Sequence, residues 1–161
     1  MEIRRYDPPD RPVLEKLMME LQQHIADLDP HKRNRPASDF DVSAYVTHML
    51  TDVEREQGRI MVADLDGVPV GFIVGTIPAP DKEDLLDHYP SKEGKIDELI
   101  VSAEHRGKDI GKLLVKAMED YLQEQGCEYI RVGVFAPNTS AHRFYEKCGY
   151  TDRYTEVLKK L

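Results

Sequence analysis

A basic turn that contains glycine joins two apolar segments within residues 96–114. The first segment is a dense apolar run typical of a strand, and in the second the apolar residues recur at helical spacing. A strand that enters a helix through a tight loop leaves the first backbone amides of the helix unpaired, and the helix dipole adds partial positive charge there. Cations and glycines surround this point, namely Arg106, Lys108, Lys112, Gly107 and Gly111. The turn is therefore predicted to anchor a phosphorylated cofactor.

Two carboxylates, Asp97 and Glu98, interrupt the apolar run that precedes this turn. Burying a carboxylate is costly, so a pair of them inside a strand needs a physical reason. Successive side chains of a strand point to opposite faces of the sheet. We therefore expect only one of the two to face a cleft, unless a bulge re-aims the strand at this point.

The composition restricts the class of partner and the compartment. The 161 residues carry a formal net charge of −8, which disfavours a nucleic-acid partner because phosphate backbones attract clustered Lys and Arg. Cys127 and Cys148 have no metal-ligand spacing, which fits a reducing compartment and predicts no metal. No apolar run approaches the ~20 residues that span a membrane, and the N-terminus does not resemble a signal peptide. We expect no membrane partner and a cytoplasmic location.

The N-terminal part predicts a short strand and two helices. Residues 2–6 alternate as a strand does, and Asp10 is a credible N-cap for a helix that ends near Asp29. The basic loop after it, H-K-R-N-R-P, is either a solvated connector or a rim of the substrate cleft. Ser38 or Asp39 is predicted to open the second helix, which ends before Gly58.

The middle of the chain changes to the period of strands. Residues 60–65 and 68–77 flank Asp66-Gly67, a dipeptide favoured in tight hairpin turns because glycine accepts a positive φ. Residues 78–95 carry no convincing period, and so long a connection suggests a functional loop. That loop is either a solvated flap or an acidic lid that attracts an amine.

The C-terminal part predicts a helix, a strand, a short helix and a last strand. The first helix runs from about Lys108 to Gly126, and a strand spans residues 129–135. Asn138 or Thr139 caps the short helix, and residues 150–158 read as the last strand. The order β-α-α-β-β-β-α-β-α-β describes one mixed α/β domain over residues 1–161.

Two segments together resemble a known family. V-S-A-E-H-R-G-K-D-I-G-K-L-L resembles the acetyl-CoA signature of the GCN5-related N-acetyltransferases, the GNAT family, and N-T-S-A-H-R-F-Y-E-K-C-G-Y resembles the second signature of that family. The two stand in the family's order, about 30 residues apart, with one helix and one strand between them. The predicted elements also fit the family over nearly the whole chain, as a single-domain GNAT-like mixed sheet.

The resemblance implies acetyl-CoA as the cofactor and assigns residues to it. It places the diphosphate on the turn, which comprises Arg106, Gly107, Lys108, Asp109, Ile110, Gly111 and Lys112. It places the pantetheine along Leu99, Ile100 and Val101, with a backbone amide near Ile100 or Val101 facing the thioester oxygen. Asn138, Ala141 and Tyr145 on the last helix are expected to line its other side.

The resemblance also implies an N-acetyltransferase that acts by direct attack in a ternary complex. The acceptor is expected to be a primary amine of a small, cationic molecule or a peptide. Tyr145 is the expected general acid, since a phenol is protonated at neutral pH. Glu98 is favoured as the base, with Asp97 or a water chain as alternatives. A non-catalytic acyl-CoA-binding module of the same fold is the competing hypothesis, and a homodimer is among the expectations because dimers are common in the family.

Asp109 departs from the family signature, which usually has glycine at its position. A carboxylate near a diphosphate is repulsive, so we expect weakened cofactor binding. The alternative is local, because an aspartate in the first turn of a helix favours the dipole and can cap free amides.

Overall fold

Five strands form one mixed sheet in the computed structural model, which describes all residues from 1 to 161 except the side chain of Asp84. The strands follow the chain in the order β1-β2-β3-β4-β5. Strands β1 to β4 pair antiparallel, and β5 pairs parallel to β4. Their bounds are β1 Glu2–Arg5, β2 Arg59–Leu65, β3 Val68–Thr76, β4 Glu93–Val101 and β5 Tyr129–Val132.

Helices cover both faces of the sheet, as amphipathic segments around a twisted sheet require. Their bounds are α1 Arg11–Leu28, α2 Val42–Arg55, α3 Asp84–Asp87, α4 Ile110–Glu124 and α5 Thr139–Lys147. Buried residues of α1 and α2 pack on one face around Phe72 and Val62, whereas α4 and Tyr145 of α5 pack on the other face around Ile73. No helix in the described part of the chain is long and apolar enough to cross a membrane.

The beginnings of the first two helices differ from the expected caps. Asp10 precedes α1 as predicted, but its carboxylate accepts two hydrogen bonds of 2.8 Å from Arg4 and does not cap the helix. The predicted opening of α2 at Ser38 or Asp39 is wrong, because these residues belong to a short 3₁₀ turn. Asp41 is the actual cap, and its Oδ1 accepts from the Ala44 amide at 3.0 Å.

The predicted hairpin is present, and the predicted long loop is shorter than expected. Asp66 and Gly67 adopt positive φ values of 54° and 85°, which the tight turn requires. Strand β4 begins at Glu93, so residues 93–95 belong to the sheet and not to the loop. Gly94 is buried while Glu93 and Lys95 are half-buried, and this alternation is hard to see in sequence because glycine carries no apolar side chain.

The predicted last strand, residues 150–158, is absent, and the strand predicted for residues 129–135 ends at Val132. Residues 151–161 are exposed throughout. They are tied to the rest of the chain by side-chain contacts such as that between His142 Nε2 and Asp152 Oδ1 at 2.7 Å. The strand propensity of these residues is not sufficient to form a strand, because a strand must pair with a neighbour. In the described sheet β5 pairs with β4, and the tail does not pair with the other edge of β5.

Candidate active site

Strand β4 loses its second neighbour halfway along its length. Strand β5 pairs with β4 only from Glu93 to Ile96, so residues 97–101 have a strand on one side alone. We call this segment the open edge of β4. Ser102 donates its amide to Val70 O at 2.9 Å on the β3 side, so alternation directs the N–H and C=O of Val101 to the opposite side. Arg106 Nε donates to Val101 O there at 3.0 Å.

A β-bulge lies where the open edge begins. Val74 of β3 is opposite Glu98 and Gly75 is opposite Ile96, which leaves Asp97 as the extra residue of β4. Ile96 and Ile100 are four residues apart and would share a face in a regular strand, yet they pack into the cores on opposite faces. The bulge therefore turns Asp97 and Glu98 to the same face, that of α2.

Each of the two carboxylates has its own hydrogen-bond partner. Asp97 Oδ2 accepts from Thr76 Oγ1 at 2.7 Å, and Asp97 Oδ1 lies 2.6 Å from Lys95 Nζ. Glu98 Oε1 accepts a short hydrogen bond from the Tyr45 hydroxyl. Burial raises the pKa of Glu98, and the charge of Asp97 raises it further, whereas Tyr45 and Lys95 act in the opposite direction.

A cavity of about 310 Å³ lies over these carboxylates. Four of its lining residues are acidic and three can carry positive charge. Its walls are formed by Tyr45, His48, Met49, Asp52, Glu56, Val74, Thr76, Pro78, Lys95, Asp97, Glu98 and Arg131. No group of three or more His, Cys, Asp or Glu in the described part of the chain could hold a metal ion.

The cavity also contains residues that sequence reasoning did not assign to the site. Helical spacing puts Tyr45 on the same face of α2 as the buried residues Val46 and Met49, but 39% of its surface is exposed. The basic loop after α1 does not line this cavity, and the long loop contributes only Pro78. The sequence offered one signal for a role of Tyr45 in the site, namely a polar hydroxyl on the apolar stripe of α2.

Tyr145 of α5 is buried, with 8% of its surface exposed. Its ring meets those of Phe144 and Tyr150 edge-on, at centroid distances of 5.2 and 5.4 Å. Burial raises the pKa of Tyr145 well above its ordinary value, and negative charge on Cys148 and Glu98 contributes in the same direction. The phenol therefore stays protonated at neutral pH.

The turn before α4 leaves backbone donors free. Leu113 N–H donates to Asp109 O at 3.1 Å, so the amides of Ile110, Gly111 and Lys112 precede the first helical hydrogen bond. Asp109 does not cap them, because its carboxylate is 73% exposed and pairs with Lys112 Nζ at 2.9 Å. These free amides fit a diphosphate.

Glycine is needed in this turn for two different reasons. Gly107 has a φ of 76°, which L-residues rarely adopt, although a Cβ there would meet no atom within 4 Å. A Cβ on Gly111 would lie 3.3 Å from the Phe144 ring, so Gly111 allows α4 and α5 to approach closely. Lys108 lies between these glycines, in the turn before α4, and is exposed.

Asn138 is the N-cap of α5. Its Oδ1 accepts from the Ala141 amide at 3.2 Å and from Ser140 Oγ at 2.8 Å. Asn138 and Ala141 follow β5 in the chain, whereas Leu99 and Ile100 belong to the open edge of β4. The Ile100 side chain is buried in the core on the α2 face.

The family model described as the acetyltransferase (GNAT) family matches residues 18–150. This chain belongs to the GNAT family. An N-acetyltransferase of Archaeoglobus fulgidus, itself uncharacterized, is 34% identical over 146 residues, which are 90% of this chain and 89% of that protein. The predicted resemblance is thereby confirmed.

Solved structures show the same fold at lower identity. A mutant of the BH1408 protein from Bacillus halodurans superposes with a TM-score of 0.84 at 20% identity, covering 100% of this chain and 99% of that one. Aminoglycoside N-acetyltransferase AAC(6')-Iy in complex with CoA gives a TM-score of 0.70 at 15% identity, covering 99% and 98%. The predicted GNAT-like mixed α/β fold is confirmed, and so is the prediction that this GNAT protein is an acetyltransferase that uses acetyl-CoA.

Proposed function

We propose that this GNAT acetyltransferase moves the acetyl group of acetyl-CoA to a primary amine of a small cationic molecule, by direct attack in a ternary complex. The observation that carries the proposal is the β4 bulge, which turns Asp97 and Glu98 into one cavity of about 310 Å³ beside the open edge of β4. Carboxylates that face a cavity attract an ammonium group and hold it in place. A peptide with a basic N-terminal residue is compatible with the same chemistry.

The residues of the turn and the open edge fit the cofactor. The free amides of Ile110, Gly111 and Lys112 would hold the diphosphate, with Arg106 and Lys108 as nearby cations. The pantetheine would pair with the open edge as an added strand does. Because Arg106 donates to Val101 O at 3.0 Å, it would have to release that oxygen when the pantetheine pairs there.

Further contacts would place the thioester, which supplies the activated acetyl group when the cofactor is bound. The Val101 amide is directed to the open edge and is the donor that would face the thioester oxygen. Backbone amides alternate in direction along a strand. The Leu99 amide therefore also points to the open edge, whereas the Ile100 amide points to β3. Asn138 and Ala141, at the start of α5, would line the opposite side.

Glu98 would act as the base. A carboxylate whose pKa is raised by burial accepts a proton more readily than an exposed carboxylate does. Asp97 is held by Thr76 at 2.7 Å and by Lys95 at 2.6 Å, so its oxygens are already engaged. We therefore assign proton removal from the ammonium group to Glu98, directly or through one water.

Tyr145 would act as the acid. As the new C–N bond forms and the C–S bond breaks, the phenol would give its proton to the departing sulfur. The nitrogen would lose its second proton to solvent, and solvent would return a proton to Tyr145. Glu98 would then release to solvent the proton that it took from the ammonium group. A phenol whose pKa is raised stays protonated until that step.

An acceptor panel with acetyl-CoA tests this function by release of the thiol. We expect higher kcat/KM for small diamines, which carry a second positive charge, than for monoamines of similar size. Tyr145→Phe and Glu98→Gln should each lower kcat by about 10²-fold and leave the Kd for acetyl-CoA within about twofold, since each removes a proton-transfer group.

Tyr129→Phe is the matched control, because Tyr129 is 64% exposed on β5 and should not affect turnover. Binding of acetyl-CoA without turnover on any amine would support the non-catalytic module instead. Full activity of Tyr145→Phe would remove this residue from the mechanism.

A further inference from the structure

Tyr45 contacts the proposed base from a different element of the fold. It lies in the first turn of α2, 53 residues from Glu98, and its hydroxyl donates a hydrogen bond to Glu98 Oε1. The Tyr45 ring packs against Phe40 at a centroid distance of 5.2 Å. The Asp41 cap, which accepts from the Ala44 amide at 3.0 Å, fixes the turn that carries Tyr45. The packing against Phe40 and the cap by Asp41 therefore direct the Tyr45 hydroxyl toward Glu98.

The Tyr45 phenol is a permanent donor in the working pH range. Burial raises its pKa, and the negative charges of Glu98 and Asp97 raise it further. A neutral donor stabilises the ionised form of the carboxylate to which it donates. The bond uses Oε1 of Glu98 and leaves Oε2 to accept a proton from an amine.

Opposing influences act on Glu98. Burial and Asp97 favour its protonated form, whereas Tyr45 and Lys95 favour the carboxylate. The titratable or charged groups that line the same cavity come from α2, the residue that follows it, β4 and β5, and are Tyr45, His48, Asp52, Glu56, Lys95, Asp97 and Arg131. The negative charge of Glu98 in turn contributes to the raised pKa of Tyr145 on α5. Within the described residues, Tyr45 is the group that hydrogen-bonds the Glu98 side chain.

We propose that Tyr45 is a positioning residue, which keeps Glu98 ionised and directs its free oxygen to the amine. The inference rests on the proposed role of Glu98 as the base. It predicts that removing one hydroxyl oxygen from α2 changes the proton affinity of a residue on β4.

Carbon NMR of protein with labelled glutamate carboxyls measures this effect without an acceptor amine. Glu98→Gln identifies the Glu98 signal by its loss. In Tyr45→Phe, which keeps the ring, we expect the acid dissociation constant of Glu98 to fall about tenfold, because a charge-assisted hydrogen bond is lost. Tyr121→Phe is the matched control, since it removes a phenol that donates to Gln57 O at 2.6 Å and should leave the Glu98 titration unchanged.

The pH profile of acetyl transfer, with the best amine of the panel, gives a second readout. In Tyr45→Phe, the acidic limb of the kcat/KM profile should move to higher pH by the amount that corresponds to the tenfold change in the acid dissociation constant of Glu98. At pH values above this limb, kcat/KM should return to the parent value, and the KM for acetyl-CoA should be unchanged. A rate lowered equally at every pH, with an unmoved limb, would indicate a structural role only and overturn the inference.

The two proposals fail in different ways. An unchanged Glu98 titration in folded Tyr45→Phe contradicts the positioning role, whatever the activity. If Tyr45→Phe does not fold, Tyr45→Leu removes the same donor and is titrated instead. A shifted titration together with full activity of Glu98→Gln would overturn Glu98 as the base and, with it, the positioning role of Tyr45 in the reaction.

Discussion

At the scale of single residues, Asp109 occupies a backbone conformation that glycine adopts most easily. Its φ and ψ of 59° and 7° lie in the left-handed region, directly before α4. That region costs an L-residue roughly 1–2 kcal/mol, and aspartate is among the residues that tolerate it best. The family signature has glycine here, and the conformation supplies the reason. The same residue places a carboxylate beside the free amides of α4.

Asp109→Gly should improve both stability and cofactor binding. Glycine relieves the positive φ, so we expect the free energy of unfolding to rise by about 0.5–1 kcal/mol in urea titrations. Loss of an exposed charge near the proposed diphosphate site should tighten acetyl-CoA binding about fivefold in calorimetry.

Asp109→Asn separates the two effects, because asparagine removes the charge but keeps a side chain at positive φ. It should gain affinity with a smaller gain in stability. Unchanged affinity in both variants would show that the carboxylate does not reach the bound diphosphate.

At the scale of elements, the end of α1 is held by a single carboxylate. Asp29 accepts hydrogen bonds from the backbone amides of Asn34, His31 and Arg33 at 2.8, 2.8 and 2.7 Å. The amide of Asn34 is the largest of the contributions that lower the pKa of Asp29 to about 2. The basic loop, which the sequence predicts as either a solvated connector or a rim of the substrate cleft, is therefore organised around one acidic residue.

Asp29→Asn should destabilise the protein in a pH-dependent way. A carboxyl whose pKa is lower in the folded state than in the unfolded state adds stability above its ordinary value of 3.8, and this stability is lost as the pH falls to about 2. We expect the variant to melt several degrees below the parent at pH 7, and the difference to disappear near pH 2. Calorimetric melting across pH measures both.

Asp27→Asn is the matched control. Asp27 lies two residues earlier in the chain and is exposed, and in the described part of the chain its carboxylate accepts from the half-buried Gln23 side chain at 2.7 Å. A melting temperature close to the parent value is expected at every pH. If both variants lost the same amount of melting temperature at every pH, the role assigned to Asp29 would be contradicted.

At the scale of the whole molecule, the sheet is complete without the C-terminal tail. The family match ends at residue 150, and residues 151–161 are exposed beyond it. Tyr150 is the last residue with a substantial packing role. Its ring meets Tyr145 at 5.4 Å, and its hydroxyl donates to Glu119 at 3.1 Å.

Truncation after Tyr150 should shift the melting temperature by no more than about 2 °C, because exposed residues contribute little to stability. Truncation after Lys147 is the comparison, since it also removes Tyr150 and the Gly149 turn that ends α5. It should lower the melting temperature markedly. A large loss already in the first truncation would mean that the tail pairs as a strand in solution, as its sequence pattern indicates.

Local features of the chain could be predicted because their causes lie close together in sequence. The Asp66-Gly67 turn, the apolar stripe of α4 and the two family signatures each depend on neighbouring residues. They were sufficient for the fold class, the family and the cofactor. The cap of α2 was missed because Ser38, Asp39 and Asp41 are all good capping residues, and only the path of the chain selects among them.

The arrangement of the site was decided by tertiary structure. Whether Asp97 and Glu98 share a face depends on a bulge, which is set by the register of β4 against Val74 and Gly75. The bond from Tyr45 joins residues 53 positions apart, and the tail has strand-forming residues but no ladder partner. Local spacing was enough to predict most of the elements and the family, because both depend on neighbouring residues. Only the packed sheet decided which carboxylate meets which donor, because pairing and packing join residues that are distant along the chain.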